Sequence, residues 1–426
     1  MSVFQMGTAT LDKLFLEYIM PGLNVEIREN SNLYGKFKTD SKTVLGKYAI
    51  FKCLTALPTS ARPSSSSSLP TAKQSSYSEF TLYMKRGLYA QLQFDGLALA
   101  CAKGKGAVMD ALKSEVQAIK IHIANKLNRQ FWGDGSGRLA QLSAAIANSV
   151  TGYVDGPTFG QDANGYTDPS NYLDEGMAVD IYSTAGVLEA EDVVISAITK
   201  GGAGTDTLTF ASAVTATNNA YIFDHDTYAA TQAAGTGVPQ GLHGIIEVSD
   251  PYTGITETSF QGVDRDTYAW ARAQEVNMGG VAITNAKILE TIMECEKWGR
   301  IDAIITNDII WRAYYQILES DKTLPNEKAF WGGLEGLAFY GGRTGKMPII
   351  YDTDCPDQAM FFLDSSVLQV YSPVDNGLTW IPGDSGILTR VQGKDEHVAS
   401  MVWYYNFGTP KPQALGKLYG IKHSAT

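Results

Sequence analysis

Residues 106–132 read GAVMDALKSEVQAIKIHIANKLNRQFW, and the glycine-rich segment GDGSG follows them directly. Apolar side chains recur every three or four positions, which places them on one face of a helix: Met109, Leu112, Val116, Ile119, Ile123, Leu127 and Phe131. At 1.5 Å per residue such a helix is about 40 Å long, more than twice the usual length. Gly133 stands where a left-handed C-cap is expected, so the helix is predicted to end at Trp132. A single long rod with strand-like sequence on both sides indicates a scaffold element.

The charges are unevenly distributed along the 426 residues. Residues 1–138 hold 18 Lys/Arg and 10 Asp/Glu, whereas residues 139–264 hold 16 acids and Lys200 as their one base. Residues 265–426 hold 15 bases and 19 acids. A basic first third and an acidic middle can attract each other between copies of the chain. The alternative interpretation is an acidic surface that keeps the protein soluble.

Composition excludes several classes of protein. No apolar run reaches the roughly 18 residues that a membrane span requires, and the N-terminal residues lack the pattern of a signal peptide. Four cysteines lie far apart and in no metal-binding spacing, which predicts reduced and mostly buried thiols: Cys53, Cys101, Cys295 and Cys355. The length predicts two or three domains.

The sequence before the rod predicts an arm and a hairpin. Residues 1–43 have no sustained period beyond a possible short helix at Leu11–Met20, and they are interpreted as an extended arm. Residues 44–94 contain two strand-like runs around a tip that holds five consecutive serines, Ser64 to Ser68. We interpret this segment as a long hairpin that projects from the body.

The sequence after the rod changes character twice. Leu139–Asn148 is predicted to be a short helical piece, and residues 150–238 are predicted to form a small acidic β-rich insertion with short strands: Ala178–Ser183, Asp192–Ile198, Thr205–Phe210 and Tyr221–Asp224. The last third alternates two predicted helices, Thr284–Trp298 and Asn307–Leu318, with short strands: 302–306, Met347–Tyr351, Ala359–Leu363, Val367–Tyr371 and Ala399–Tyr405. This pattern is typical of an α/β sandwich.

The sequence contains two motifs that resemble catalytic or metal-binding sites, and both are weak evidence for such a site. Gly383–Gly386 reads GDSG, as around the nucleophile of trypsin-like proteases, but no histidine stands in a matching context, so a turn is favoured over a hydrolase that uses Ser385. Five side chains have a calcium-like composition but fail the EF-hand register, which favours turns over a cation site: Asp155, Asp162, Asn164, Asp168 and Asp174. We therefore predict no catalytic, cofactor-binding or metal-binding residues, and a protein that is not an enzyme.

Five segments, taken in chain order, carry a resemblance to a known family: Asn128–Gly137 (NRQFWGDGSG), Gly262–Tyr268 (GVDRDTY), Gly332–Gly342 (GGLEGLAFYGG), Met347–Pro356 (MPIIYDTDCP) and Met360–Asp364 (MFFLD). Together with the order of arm, hairpin, rod, insertion and α/β third, they make the chain resemble the major capsid proteins of tailed bacteriophages. The resemblance implies an α+β fold with these parts: an N-terminal arm (1–43), an E-loop hairpin (44–94), a peripheral domain with the spine helix (95–149), the β-rich insertion (150–238), a return to the peripheral domain (239–264), an axial domain (265–394) and peripheral C-terminal strands (395–426).

The resemblance also implies a function. Copies of the chain would assemble as pentamers and hexamers into an icosahedral virion shell, made in the host bacterial cytoplasm, around double-stranded DNA that is not bound by sequence. Scaffold, portal and decoration proteins would be further partners, and no membrane would be one. Six residues are expected at assembly contacts: Arg62, Lys73, Lys85, Arg86, Trp132 and Trp331. The alternatives are an encapsulin-like nanocompartment shell, a carbohydrate-binding tail protein and the Ser385 hydrolase.

Overall fold

The computed structural model describes Leu33, Ala61, Pro63, Leu69 and these ranges: 36–56, 71–95, 105–156, 169–201, 205–230, 235–247, 260–320, 328–331, 334–343, 345–374, 377–381, 388–391 and 393–422. The predicted helix Leu11–Met20, the serine run of the hairpin tip and Ser385 lie outside the described residues. Among the described residues, no helix combines the length and the apolarity that a membrane crossing needs.

The predicted rod is present as helix α1, which runs from Lys105 to Trp132. In its second half Ile123, Leu127 and Phe131 are buried, as the apolar period predicts. The prediction of a left-handed cap at Gly133 is wrong, because the positive φ angles belong to Gly135 (87°) and Gly137 (84°). The chain turns two residues later than expected since the Ser136 N–H donates to Asp134 Oδ1 (2.8 Å) and closes a side-chain-assisted turn.

The described residues before α1 form five strands, which belong to two different sheets: β1 (Lys38–Asp40), β2 (Val44–Leu45), β3 (Tyr48–Ala56), β4 (Ser76–Tyr83) and β5 (Lys85–Asp95). β2, β3 and β4 make a three-stranded antiparallel sheet, which we call the hairpin sheet. The predicted hairpin continued to residue 94. In the structure β5 leaves the hairpin sheet and pairs along its whole length with a strand near the C-terminus.

A closed six-stranded barrel follows α1: β6 (Arg138–Leu142), β7 (Ile146–Gly156), β8 (Ala178–Tyr182), β9 (Leu188–Thr199), β10 (Asp206–Ala216) and β11 (Tyr221–Asp224). The prediction of a helical piece at Leu139–Asn148 is wrong. Side chains of β6 alternate between buried and half-buried, so this stretch has the period of a strand. The barrel therefore begins at Arg138, before the predicted boundary at 150.

The described residues after the barrel include three α-helices: α2 (Leu242–Ile246), α3 (Asn285–Glu296) and α4 (Asp308–Ser320). The strands in this part of the chain are β12 (Gln274–Val281), β13 (Ala303–Thr306), β14 (Lys328–Trp331), β15 (Leu334–Gly341), β16 (Gly345–Tyr351), β17 (Met360–Leu363), β18 (Gln369–Tyr371), β19 (Thr379–Trp380), β20 (Leu388–Arg390), β21 (Glu396–Gly408) and β22 (Gly416–Ile421). The two predicted long helices and the buried strands among them are thus present, within a few residues of the expected ends.

These strands complete two sheets. A seven-stranded sheet has the order β12-β22-β17-β13-β16-β15-β14, and α3 and α4 pack on it around a common core. A six-stranded sheet is built around β21, which pairs with β5, β18, β19 and β20, while β1 lies parallel to β18. The predicted boundary at 394–395 therefore does not separate the two sheets. β18 to β20 belong with β21, whereas the C-terminal β22 joins the seven-stranded sheet.

The end of α1 lies at the centre of the largest core. Leu127, Phe131 and Trp132 are fully buried among residues of β21 and β17. The ring of Phe131 lies 5.4 Å from that of Phe407 in β21, and the ring of Trp132 lies 5.1 Å from that of Phe361 in β17. The helix therefore joins the two sheets. The molecule is an α+β protein with few helices and many strands, as predicted.

Candidate assembly surfaces

The outer face of the hairpin sheet is apolar and exposed. Alternation along β3 turns Ala49 and Phe51 toward the body and brings the side chains on the opposite face to solvent. Four large apolar residues share that outer face, and two of them are mostly exposed, Leu45 at 70% and Tyr77 at 63%: Leu45, Tyr48, Ile50 and Tyr77. Single exposed apolar residues are common, but an adjacent group of them on one sheet face is typical of a contact surface.

The inner face of the hairpin sheet is fixed to the body. Phe80 is fully buried, with its ring 6.3 Å from Phe260 and 5.6 Å from Trp270. Phe51 stacks on Tyr371 at 5.4 Å. Because aromatic packing holds one face, the other face is presented to solvent in a defined orientation.

The six predicted assembly contacts lie in different environments. Lys73 and Arg86 are exposed, so both are available to a neighbouring copy. Lys85 is buried and donates from Nζ to the Thr236 carbonyl oxygen (2.9 Å), and Trp132 is fully buried. These two side chains therefore contact their own chain, because burial removes them from the surface. Arg62 and the Trp331 side chain lie outside the described residues, although the Trp331 backbone forms the end of β14.

The barrel is attached to α1 and to the 352–355 loop by polar contacts, which we call the seam. Arg129 makes a bidentate pair with Asp174 (2.5 and 3.1 Å), and Lys126 pairs with Asp224. The Tyr172 hydroxyl donates to the Asp354 carbonyl oxygen at 2.6 Å. Charge-assisted and bidentate pairs are the stronger kind of polar contact. The seam therefore gives the insertion a fixed position at the end of the rod.

Two carboxylates lie beside the seam, the buried Asp352 and the half-buried Asp354. The Asn128 amide nitrogen donates to Asp352 (3.1 Å to Oδ1) and to Asp354 (2.6 Å to Oδ2). Burial raises the pKa of Asp352 to about 6, and the negative charge of Asp354 adds to that shift. Burial also raises the pKa of Asp354. Asp352 and Asp354 belong to MPIIYDTDCP, one of the five segments that carry the resemblance. In the structure their carboxylates contact Asn128 near the end of α1.

A buried arginine organises the segment between the barrel and the seven-stranded sheet. Arg265 is fully buried and donates to the carbonyl oxygens of Gly244 (2.8 Å), Ile245 (3.1 Å) and Glu247. Its guanidinium also lies over the Phe260 ring, 4.3 Å from the centroid. Arg265 thus binds the carbonyl groups at the end of α2, which an α-helix leaves without intrahelical partners. Sequence reasoning noted the GVDRDTY segment but missed both α2 and this role.

The structure also places the candidates for chemistry. Asp174 of the calcium-like set pairs with Arg129, while Asp162, Asn164 and Asp168 lie outside the described residues. Cys53, Cys295 and Cys355 are buried, as predicted, and burial raises the pKa of each thiol, which lowers its reactivity. Cys101 lies outside the described residues.

One further group was not predicted. Asp180, His225 and Asp226 bring possible metal-ligand atoms within 4.8 Å of one another on the barrel. The Asp180 carboxylate already accepts the N–H groups of Asp192 and Asp226 and contacts His225 Nδ1, each at 2.9 Å. Because Asp180 already has these partners, we interpret the three side chains as a structural contact on the barrel surface.

Comparison with known proteins gives structural matches alone. No family model matches the chain, and no curated protein matches it by sequence. Similar solved structures include the capsid of cyanophage A-1(L), with 12% identity, 92% of each chain covered and a TM-score of 0.48. The capsid of the myovirus XM1 matches with 10% identity, 92% of each chain and a TM-score of 0.41. The encapsulin of Synechococcus elongatus matches over 35% of this chain and 54% of its own, with 14% identity and a TM-score of 0.29.

These two phage capsid structures each match about nine-tenths of the chain. Because all three TM-scores are below 0.5, we derive the function from the surfaces of the chain itself.

Proposed function

We propose that this chain is a major capsid protein that assembles as pentamers and hexamers into a closed icosahedral shell around double-stranded DNA. The observation that carries the proposal is the exposed apolar outer face of the hairpin sheet. Its residues are held in position by the packed inner face, so the surface is preformed for a partner. The resemblance in the order of parts favours another copy of the chain as that partner.

A shell is the form of self-association that suits such a surface. A contact between two different patches of the same chain propagates from copy to copy, and it ends only when rotational symmetry closes the assembly. Burying the apolar face of the hairpin sheet removes it from water at each contact, which favours association by about 25 cal/mol for each Å² buried. Lys73 and Arg86, both exposed, are proposed to lie at the rim of these contacts.

We propose that the enclosed DNA is held by confinement. Salt-dependent binding to DNA scales with the number of phosphates that cationic side chains neutralise. This chain has a net charge of −11. We propose that the inner face of the shell is near-neutral or acidic, which leaves packaged DNA free to slide.

The proposal is tested by expressing the chain and examining it by negative-stain electron microscopy and mass measurement. We expect closed shells, or separate pentamers and hexamers. The double substitution Ile50→Asp with Tyr77→Asp is expected to abolish them, because it places charge in the contact, and to leave the melting temperature within a few degrees. Val150→Asp is the matched control, since Val150 is comparably exposed but lies on the barrel. A chain that stays monomeric, or a hairpin variant that assembles normally, would contradict the proposal.

A further inference from the structure

The barrel carries a surface that is both acidic and apolar. Glu191, Asp192 and Asp226 are exposed, and Asp180 draws two of them together by accepting the backbone N–H groups of Asp192 and Asp226, each at 2.9 Å. Leu188 and Val194 are exposed on the same strand, β9, and Val187 directly precedes it at 62% exposure. We call these six exposed residues the acidic face: Val187, Leu188, Glu191, Asp192, Val194 and Asp226.

The barrel contains little positive charge that could neutralise this face. Its described residues include one lysine and one arginine, Lys200 and Arg138, and His225 lies at the acidic face, with its Nε2 3.6 Å from Asp226. Arg138 is buried over the Tyr221 ring, with its guanidinium carbon 4.2 Å from the centroid, and Lys200 lies beside Asp206 (3.6 Å). The negative potential of the acidic face therefore extends into solvent, where it attracts a cationic partner.

The hairpin sheet has the complementary composition. Lys47 and Lys52 lie among its exposed apolar residues, and Lys73 lies just before β4. Lys52 faces Glu79, the one acid on the described strands of this sheet. Both surfaces combine apolar contact area with charge, and the signs are opposite. Such a pairing supplies attraction, orientation and rapid encounter together.

We propose that the acidic face of the barrel in one copy binds the lysine-bearing outer face of the hairpin sheet in a neighbouring copy. This inference rests on the self-assembly proposed above and assigns the insertion a role in it. Both surfaces are exposed in the single chain, so each is available to a second copy. The acidic insertion thereby explains the charge asymmetry between the first third of the chain and its middle.

The test is charge reversal with complementation. One variant combines Lys47→Glu with Lys52→Glu, and the other combines Glu191→Lys with Asp192→Asn. Asparagine is chosen because Asp192 has a φ of 49°, a conformation that asparagine tolerates. Assembly is followed by light scattering and electron microscopy at 0.1 M and 1 M NaCl. The control variant combines Lys287→Glu on α3 with Lys297→Glu directly after it, which gives the same charge change as the hairpin variant at exposed sites away from both surfaces.

Each double variant alone is expected to need at least a tenfold higher concentration to assemble, because like charges then meet at every contact. A mixture of the two is expected to recover part of the assembly, since a hairpin of one variant then finds a barrel of opposite sign wherever the two variants are neighbours. The α3 control should assemble like the unmodified chain and should not rescue the barrel variant. Raising the salt to 1 M, where the screening length falls from about 10 to about 3 Å, should weaken assembly of the unmodified chain.

The outcomes separate the two proposals. Normal assembly of both variants, or a mixture that fails to recover while each variant retains its melting temperature, overturns the pairing and leaves the capsid function standing. An unmodified chain that never assembles overturns the capsid function, and the pairing with it.

Discussion

Asp352 shows how one buried carboxyl makes stability depend on pH. Burial raises its pKa from 3.8 to about 6, so between these values the folded state binds more protons than the unfolded state. Stability therefore falls as pH rises from about 4 to about 6 and stays lower above that range. We expect Asp352→Asn to stabilise the protein at pH 7.5 by on the order of 2 kcal/mol, because the new amide carries no charge and its oxygen can still accept from the Asp354 N–H.

The measurement is the free energy of unfolding in urea at pH 4 and pH 7.5. The difference between Asp352→Asn and the unmodified protein should be largest at pH 7.5 and small at pH 4. Asp308→Asn serves as the control, because Asp308 is an exposed acid on α4. An equal effect of Asp352→Asn at both pH values would show that charge burial is not its cause.

Arg265 makes hydrogen bonds that no other side chain at this position can replace. Its guanidinium serves three carbonyl groups at once, and a lysine ammonium is a single point that cannot reproduce that planar geometry. We expect Arg265→Lys to lower the free energy of unfolding by about 3 kcal/mol, since buried carbonyls lose their donors. Arg312→Lys, in an exposed pair with Asp308, should change it by less than about 0.5 kcal/mol. Urea denaturation of both variants checks the contrast, and equal small effects would refute it.

At the scale of elements, the seam determines how firmly the barrel is held. Arg129 is mostly buried while about half of Asp174 is exposed, so their bidentate pair is partly screened by water. We expect a double-mutant cycle with Arg129→Ala and Asp174→Ala to give a coupling energy of about 1 kcal/mol. The same cycle on Lys287 and Glu290, an exposed pair on α3, is expected to give less than half of that. Coupling near zero at the seam would mean that the barrel is held by its neutral contacts.

The elements also show which features the sequence predicts well. Helix α1 has an apolar residue every three or four positions, and α3 begins where Thr284 caps it, so the positions of both helices were predictable. Leu139–Asn148 was misread because its leucines and alanines favour a helix in isolation. In the protein that stretch completes the barrel, and pairing with β11 and β7 outweighs the local preference. The assignment of β22 to the seven-stranded sheet was not predictable, because sheet membership depends on contacts with residues far away in the chain.

The candidate assembly surfaces were predictable only in part, because burial of a side chain also depends on contacts with residues far away in the chain. Lys73 and Arg86 are exposed, so their place at assembly contacts stays a prediction. Lys85 and Trp132 were expected at contacts because of their residue types. Their burial follows from the way β5 and α1 pack on β21, which composition does not show.

At the scale of the whole molecule, the barrel has a hydrophobic core of its own. Leu142, Ile181 and Phe210 belong to a cluster that is separate from the cores under the two sheets. Units with separate cores joined by a small polar seam unfold with limited cooperativity. Calorimetry of the unassembled chain is therefore expected to show two transitions. Phe210→Ala should lower the temperature of the barrel transition, because removing a buried ring costs about 3–5 kcal/mol.

The same substitution in the seven-stranded sheet provides the matched comparison. Phe362 is also fully buried, and Phe362→Ala should lower the other transition while the barrel transition keeps its temperature. Arg129→Ala, which cuts the seam, should move the two transitions further apart without abolishing either. If both phenylalanine variants shift a single common transition equally, the barrel and the body form one cooperative unit. In that case the barrel and the body are coupled far more strongly than the few polar contacts of the seam account for.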